Sequence, residues 1–223
     1  MPVSRETERP DDGLLTDWFG VGTAQIRRFA ELLATEGVGR GLIGPRELPR
    51  LWTRHILNCV VVQSLIAQGR SVADLGSGAG LPGVVLAVAR PDLSVTLIEP
   101  LLRRTRFLEE VTADLELSNV RVVRARAEEL RGRVAFDVVV ARAVAPLDRL
   151  AGWGLPLCMP GGELLAIKGS SASTELEQSA AVLARLRAGP ASIQMCGAGV
   201  VEPATTVVRI LSQAPTQTQK GGS

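Results

Sequence analysis

The chain has 223 residues, of which 46% are hydrophobic, so it can form one domain with an appended segment and fill a sizeable core. No apolar run approaches the roughly 18 residues that a membrane span requires, and the polar start of the chain lacks the apolar stretch of a signal peptide. The three cysteines and the single histidine are scattered without metal-ligand spacing, which argues against a zinc site. We therefore expect a cytoplasmic protein without a metal or a membrane partner, and the net charge of +2 leaves RNA binding open.

The first seventy residues have the pattern of an N-terminal helical cap. Residues 1–12 are polar and carry prolines, which is typical of a disordered terminus. Apolar residues then recur at helical spacing over 23–33, and Gly37 is expected to end that helix. Pro45 suits the first turn of a second helical region, which resumes near Arg50 and runs to about Gln68. Because residues 13–70 are too few for a stable core of their own, we expect this cap to pack onto the rest of the chain.

From residue 71 onwards, strand-like runs alternate with helical segments. The predicted strands are 71–75, 94–98, 120–123, 136–140, 163–167, 191–196 and 205–211. The predicted helices are 81–89, 101–115, 127–131, 147–157 and 175–187. This alternation predicts an α/β domain over 71–212 with a mostly parallel sheet, whose last two strands form an antiparallel hairpin. The tail, 213–223, has little apolar content and is expected to be disordered.

The segment between the first predicted strand and the following helix is the most informative in the chain. It reads Val-Ala-Asp-Leu-Gly-Ser-Gly-Ala-Gly-Leu-Pro-Gly over residues 72–83, with glycines at Gly76, Gly78 and Gly80. Glycines allow a sharp turn and a close approach of the backbone to a ligand. Glu99 ends the next strand, where nucleotide-binding βαβ units place a carboxylate that binds the ribose. Together these features predict a site for a nucleoside cofactor.

The glycine spacing also favours one class of cofactor. A dinucleotide site has its third glycine five residues after the first, where Leu81 stands in this chain. Asp74, two residues before Gly76, would repel a pyrophosphate but suits a cofactor with an amino group and a sulfonium. The spacing resembles motif I of S-adenosylmethionine-dependent methyltransferases, so the predicted fold is the Rossmann-like class I methyltransferase fold with seven strands. A nicotinamide-dependent oxidoreductase is the alternative that this spacing disfavours.

Other candidate residues follow from the rule that ligands of an open α/β sheet bind beyond the carboxyl ends of its strands. Glu99 is expected to accept the ribose hydroxyls, and Ala127 with Glu128 suits an adenine edge. Arg142 ends the fourth strand, where it would clamp a cofactor carboxylate or a substrate phosphate, or else form a structural ion pair. Lys168 ends the fifth strand and is either a phosphate contact or a surface lysine.

The segment 54–58 in the cap is the second informative place. Arg54 and Asn58 are four residues apart, so they share one face of a helix. His55 lies at the edge of the apolar stripe. From the spacing alone it is either a packed, hydrogen-bonded residue or a catalytic one.

Six segments together resemble the bacterial ribosomal RNA small subunit methyltransferase G family (RsmG, also called GidB). They are residues 54–58, 74–83, 103–108, 127–128, 141–143 and 168–169, in this order along most of the chain. Residues 37–44 depart from the pattern of many members, and in this respect the chain resembles the actinobacterial branch. This departure leaves the role of the cap on the substrate side open.

The resemblance implies methyl transfer from S-adenosylmethionine to N7 of one guanine (position 527) in the 530 loop of 16S rRNA. The substrate would be naked rRNA, an assembly intermediate or the small ribosomal subunit. The implied cofactor contacts are Gly76, Leu81, Ala127, Glu128 and Arg142. The residues implied to face RNA or the target base are Arg54, His55, Asn58, Arg103 and Lys168.

The sparse set of candidate catalytic groups agrees with this chemistry. Guanine N7 carries a lone pair and no proton, so alignment with the methyl group matters more than a strong base. Because the ring becomes cationic, we expect Arg142 to orient a carboxylate or phosphate, and His55, if neutral, to stack on the guanine or hydrogen-bond its edge. Methyl transfer to another RNA, a protein or a small molecule is the alternative in the same class. An RNA-binding module without catalysis is the alternative outside it.

Overall fold

The computed structural model describes residues 10–213. The termini expected to be disordered, 1–12 and 213–223, lie mostly outside the described residues. Helix α1 (Asp12–Phe19) begins inside the first of them, because Asp11 is an effective N-cap whose carboxylate accepts a 2.8 Å hydrogen bond from the Leu14 amide. Helical structure is therefore present in the last residues of the segment whose polar composition suggests disorder.

The cap is helical, as expected, but its helices are irregular. After α1 come a 3₁₀ turn (Gly20–Gly22), α2 (Thr23–Leu32) and a π turn (Leu33–Gly37). A 3₁₀ segment (Pro45–Arg50) is then followed by a second π turn (Leu51–Leu57), α3 (Asn58–Val60) and a further 3₁₀ turn (Val61–Leu65). The segment expected to form one helix from about Arg50 is thus divided into a π turn, a short α-helix and a 3₁₀ turn. Leu51 and Cys59 are nevertheless buried, as the helical pattern predicts.

The predicted seven-stranded, mostly parallel sheet is confirmed. Its strands are β1 (Ser71–Leu75), β2 (Ser94–Ile98), β3 (Val120–Val123), β4 (Phe136–Arg142), β5 (Cys158–Lys168), β6 (Ala188–Cys196) and β7 (Thr205–Ser212). Their order is β3-β2-β1-β4-β5-β7-β6, and β7 is antiparallel to both of its neighbours. The order reverses beside β1, so the carboxyl ends of β1, β2 and β4 meet where open α/β sheets bind ligands.

Helices cover both faces of the sheet. They are α4 (Gly83–Ala89), α5 (Leu102–Asp114), α6 (Ala127–Leu130), α7 (Leu147–Gly154), α8 (Ala172–Gln178) and α9 (Ala180–Arg185). The cap packs beside α4 on one face, where Phe29 and Ile56 belong to the same buried cluster as Val72 and Leu97 of the sheet. Helix α7 packs on the opposite face with α8 and α9. The cap therefore shares its core with the sheet, and within 10–213 no helix is long and apolar enough to cross a membrane.

Candidate functional site

A cavity of about 730 Å³ opens at the carboxyl ends of β1, β2 and β4. The sheet, its loops and helices α5, α6 and α7 supply most of the wall: Leu75, Gly76, Ser77, Gly78, Ala79, Leu81, Ile98, Glu99, Pro100, Leu101, Arg104, Ala125, Arg126, Ala127, Glu128, Arg142, Ala143, Val144 and Trp153. The cap supplies Leu42, Ile43, Gly44, Glu47 and His55. The cavity therefore lies between two parts of the chain that are far apart in sequence.

The glycine loop borders this cavity through Gly76 and Gly78, whereas Gly80, also expected at the cofactor site, is not part of the wall. The φ angles are +73° at Gly76, +56° at Gly78 and +90° at Gly80, and residues other than glycine rarely adopt such angles. A Cβ atom on Gly76 would lie 2.9 Å from Val144, and one on Gly80 would lie 2.7 Å from Val84. A Cβ atom on Gly78 would meet nothing closer than the Gly76 carbonyl oxygen at 3.7 Å. Gly78 is thus the glycine of the loop whose missing side chain leaves space open to the cavity.

Asp74 lies behind the loop, which corrects the sequence-based placement at its mouth. The residue is fully buried and is not part of the cavity wall. Its Oδ2 accepts a 2.9 Å hydrogen bond from the Gly83 amide, while Oδ1 has no hydrogen-bond partner among the described residues. Burial raises the pKa of this carboxyl group to about 7. In this position Asp74 anchors the start of α4 and does not reach the cavity wall.

Glu99 lies on the cavity wall at the end of β2, as expected. Its side chain is almost fully buried, and its two carboxylate oxygens accept 3.0 Å hydrogen bonds from the amides of Gly78 and Leu101. The Arg104 guanidinium lies 3.7 Å from the oxygen that Gly78 binds. One carboxylate therefore joins the glycine loop to the start of α5.

The wall beyond Glu99 is formed by the start of α6. Ala127 is buried there and Glu128 is exposed, and both line the cavity as the sequence predicts. A capping box fixes this turn, since the Arg126 amide donates to the Glu129 carboxylate at 3.1 Å. Leu81, on the far side of the loop, also reaches the cavity.

Arg142 connects the sheet to the cap. Its Nη1 donates to the His55 carbonyl and the Cys59 thiol, both at 3.2 Å. Its Nη2 donates to the Arg54 carbonyl at 3.1 Å and contacts His55 Nδ1 at 2.7 Å. The guanidinium is therefore bound to the cap at four places, although Arg142 also lines the cavity.

Both ring nitrogens of His55 are engaged. Nδ1 faces the donor Nη2 of Arg142, and Nε2 lies 3.0 Å from the Glu47 carboxylate. Burial, and secondarily the charge of Arg142, lowers the pKa of His55 to about 4. The imidazole is neutral at physiological pH and is a poor general base, which fits the packed, hydrogen-bonded interpretation better than the catalytic one.

Two residues expected to face RNA are turned towards the protein. Asn58 donates to the Arg54 carbonyl at 3.0 Å and accepts from the Thr205 hydroxyl at 2.9 Å, which joins the cap to β7. Lys168 is largely buried and donates to the Ala145 carbonyl at 2.8 Å and to Glu175 at 2.7 Å. Neither residue belongs to the cavity wall. Their contacts position the cap and the loop after β4.

The two candidate arginines on the substrate side are exposed. Arg54 forms an ion pair with Glu47 at 3.2 Å beside the cavity. Arg103 lies on the outer face of α5 and does not line the cavity, whereas its neighbour Arg104 does. Helical phase does not distinguish the two, because each lies one turn before a buried residue, Phe107 for Arg103 and Leu108 for Arg104.

Glu47, Arg104 and Trp153 are among the wall residues that sequence reasoning missed. Helical phase on α5 gave no signal for Arg104 that it did not also give for Arg103. Glu47 lies in an irregular turn without periodicity, and Trp153 follows no motif, so these two residues carried no signal either.

Comparison with known proteins agrees with this geometry. The sequence model of the rRNA small subunit methyltransferase G family matches residues 22–203. A ribosomal RNA small subunit methyltransferase G of Thermobifida fusca is 60% identical over 192 residues, which cover 86% of this chain and 81% of the relative. The protein of that name in Streptomyces coelicolor is 57% identical over 195 residues, covering 87% and 82%.

Solved structures show the same fold at low sequence identity. An O-methyltransferase family protein of Burkholderia thailandensis superposes with a TM-score of 0.57 at 16% identity, over 86% of this chain and 64% of the other. A Corynebacterium glutamicum protein gives a TM-score of 0.55 at 16% identity, over 87% and 92%. The resemblance based on the six segments is confirmed by the family match, and the chain belongs to the rRNA small subunit methyltransferase G family.

Proposed function

We propose that this protein transfers a methyl group from S-adenosylmethionine to N7 of a guanine in 16S rRNA. The observation that carries the proposal is the glycine loop, whose Gly78 leaves open space in a cavity beside the buried carboxylate of Glu99. Family membership supports rRNA of the small subunit as the substrate. The guanine and its N7 atom come from the resemblance alone, and they are the finer part of the proposal.

The residues of the cavity fit this cofactor. A volume of about 730 Å³ suits a small-molecule ligand. Glu99 would hold the ribose hydroxyls, Ala127 with Glu128 would hold the adenine, and the loop around Gly78 would hold the methionine part. A pyrophosphate fits poorly, because the Gly78 amide already donates to a carboxylate at 3.0 Å. When bound, S-adenosylmethionine supplies an electrophilic methyl group on its sulfonium.

The chain's own groups favour alignment over proton transfer. The low pKa of His55 and the engagement of both ring nitrogens leave it without a base function. N7 of guanine needs no base, since its lone pair is free to attack. Arg142 holds the cap against the sheet, and this closes one side of the cavity. The cavity would then bring the acceptor base and the methyl group into line.

The RNA-facing side of the proposal rests on exposed cations beside the cavity. Arg54 lies at its edge, and Arg46 and Arg50 are exposed on the preceding 3₁₀ segment. Arginines at such positions bind phosphates through two parallel hydrogen bonds. Arg103, exposed at the start of α5, would extend this contact. Asn58 and Lys168 would support the RNA-binding surface indirectly, through the elements that they position.

A direct assay tests the proposal. The protein is incubated with labelled S-adenosylmethionine and with three substrates that lack the modification: naked 16S rRNA, an assembly intermediate and the small ribosomal subunit. We expect label in 16S rRNA from at least one of them, and mass spectrometry of the digested RNA should identify 7-methylguanine. Label on another atom or another RNA would refute the finer proposal. Absence of label from all three RNAs would refute the proposed function.

A further inference from the structure

Glu47 is an acidic residue of the cavity wall for which the proposed function has no role. It lies in the irregular segment Pro45–Arg50, and its side chain is 29% exposed. Its carboxylate lies 3.0 Å from His55 Nε2 and 3.2 Å from Arg54 Nη1. The hydrogen bond with His55 is the main cause of a lowered pKa, so Glu47 is ionised at neutral pH.

The contact on the opposite side of the ring determines where the proton of His55 lies. A guanidinium can only donate, so Nδ1, at 2.7 Å from Arg142 Nη2, must be the unprotonated acceptor. The proton of the neutral ring is then on Nε2, and it is donated to Glu47. The result is a chain of guanidinium, neutral imidazole and carboxylate that runs from the end of β4 to the cap.

We propose that Glu47 is a positioning residue of the methyl-transfer site, which holds the imidazole of His55 in one orientation at the edge of the cavity. The proposal rests on the proposed function, because the group to be positioned is the flat acceptor base. With both nitrogens engaged, the ring offers the cavity only its carbon atoms and its faces, against which a planar heterocycle stacks. A neutral ring also avoids repulsion with the positive charge that such a base gains on methylation.

Removal of Glu47 has a limited effect on the rest of the chain of contacts. Arg142 would keep its hydrogen bonds to the carbonyls of Arg54 and His55 and its contact with Cys59, so the cap would stay attached to the sheet. The His55 Nε2–H group, in contrast, would lose its acceptor, and only the Arg142 contact at Nδ1 would still orient the ring. We therefore expect Glu47→Ala to lower kcat at least about tenfold, as misalignment does. The Kd for S-adenosylmethionine should stay within about threefold.

Because His55 is the only histidine in the sequence, its contact with Glu47 can be observed directly by NMR. Long-range ¹H–¹⁵N correlation spectra of ¹⁵N-labelled protein contain one imidazole, and its two nitrogen shifts report protonation at each position. For the wild type near neutral pH we expect a neutral ring with the proton on Nε2 and a slowly exchanging, downfield Nε2–H signal. Glu47→Ala should shift this signal upfield and make it exchange with water. Glu47→Gln keeps an acceptor oxygen, so it should largely preserve both the signal and kcat.

Glu36→Ala is the matched control. Glu36 also lies in the cap and pairs with an arginine, since its carboxylate is 3.1 Å from Arg40 Nη2, but it is not part of the cavity wall. This variant should leave the His55 signal and kcat unchanged. Circular dichroism and thermal midpoints establish whether each variant is folded. If Glu47→Ala does not fold, the proposal is tested by the position of the ring proton in the wild type and by the Nε2–H signal and kcat of Glu47→Gln.

Three results would overturn the proposal. They are a proton on Nδ1 in the wild type, an unchanged Nε2–H signal in Glu47→Ala, and an unchanged kcat in that variant. These results are distinguishable from failure of the proposed function. If the wild type methylated no RNA, the spectra of the protein alone would still establish whether Glu47 holds the ring.

Discussion

The two walls of the cavity are built on different principles. On the sheet side, a glycine loop presents backbone beside one carboxylate, Glu99, and Gly78 leaves room for a ligand. On the cap side, the Glu47 side chain binds that of His55, which in turn binds Arg142. The sheet side therefore presents open space and backbone to a ligand. The side chains of the cap side are instead engaged in contacts within the protein, and they determine the shape of the cavity. We expect variants on the sheet side to affect the cofactor and variants on the cap side to affect stability and turnover.

The largest expected effect is that of Gly78→Val. A valine there would fill the open space of the cavity, so S-adenosylmethionine binding should fall below detection in calorimetry. The matched control is Gly132→Val, since Gly132 also has a positive φ, +71°, but lies in a turn outside the cavity wall. The control should cost stability and leave affinity unchanged. Equal affinities for the two variants would place the cofactor elsewhere.

The pH dependence of stability should reveal two buried groups with opposite effects. Asp74 has a folded-state pKa of about 7, raised from 3.8, so its contribution to stability is full below pH 3.8 and is lost as pH rises through 7. His55 has a folded-state pKa of about 4, lowered from 6.5, so its contribution is full above pH 6.5 and is lost as pH falls through 4. Each effect has a slope of about 1.4 kcal/mol per pH unit, and the two oppose each other over the shared range.

Asp74→Asn should remove one of these effects and leave the other. Its free energy of unfolding, measured with urea, should fall on acidification from pH 6.5 towards 4 more steeply than that of the wild type, by about 1.4 kcal/mol per pH unit. The asparagine oxygen can still accept the hydrogen bond from the Gly83 amide. Parallel curves for the two proteins would mean that Asp74 titrates normally in the folded state.

Arg142→Met tests the connection between the two walls. The variant removes the donor for the carbonyls of Arg54 and His55, so the free energy of unfolding should fall by roughly 2–4 kcal/mol. Cofactor affinity should fall as well, because Arg142 lines the cavity. Arg142→Lys should not restore stability, since an ammonium cannot reproduce the planar fork. An unchanged urea midpoint would show that the cap stays docked without this residue.

Glu99→Ala should weaken S-adenosylmethionine binding by roughly 1.5–3 kcal/mol, the range for hydrogen bonds to a charged group. Glu99→Asp should retain part of the affinity. Glu109→Ala, which removes an exposed carboxylate of α5, serves as the control and should bind normally. An unchanged Kd in Glu99→Ala would remove the ribose contact from the proposed function.

The smallest expected effect separates Asn58 from Arg54. Asn58→Ala loses the hydrogen bond from Thr205, so stability should fall by about 1 kcal/mol while RNA affinity stays the same. Arg54→Ala should instead flatten the salt dependence of RNA binding by about one unit of slope, as loss of a phosphate contact does. A reduced slope in Asn58→Ala would mean that Asn58 contacts RNA after all.

The predictions from sequence succeeded where the pattern was local. Strand alternation, the glycine loop and the position of Glu99 depend on neighbouring residues, and all were found where expected. The sequence did not distinguish Arg104, which lines the cavity, from Arg103, which does not. Asp74 was misplaced because spacing records that an acid precedes the loop but not on which side of the loop it lies.

By itself, the sequence determined the order of strands and helices, the cofactor loop and the family, because each of these depends on residues close together in the chain. Only the tertiary structure decided the roles of Glu47, His55 and Arg142. Arg142 is 87 residues from His55, and the hydrogen bonds between them exist only because the cap packs beside the carboxyl end of β4. Spacing carries no information about such a contact. The proton on the ring of His55 depends on it, since a donor and an acceptor from different parts of the chain must meet on its two sides.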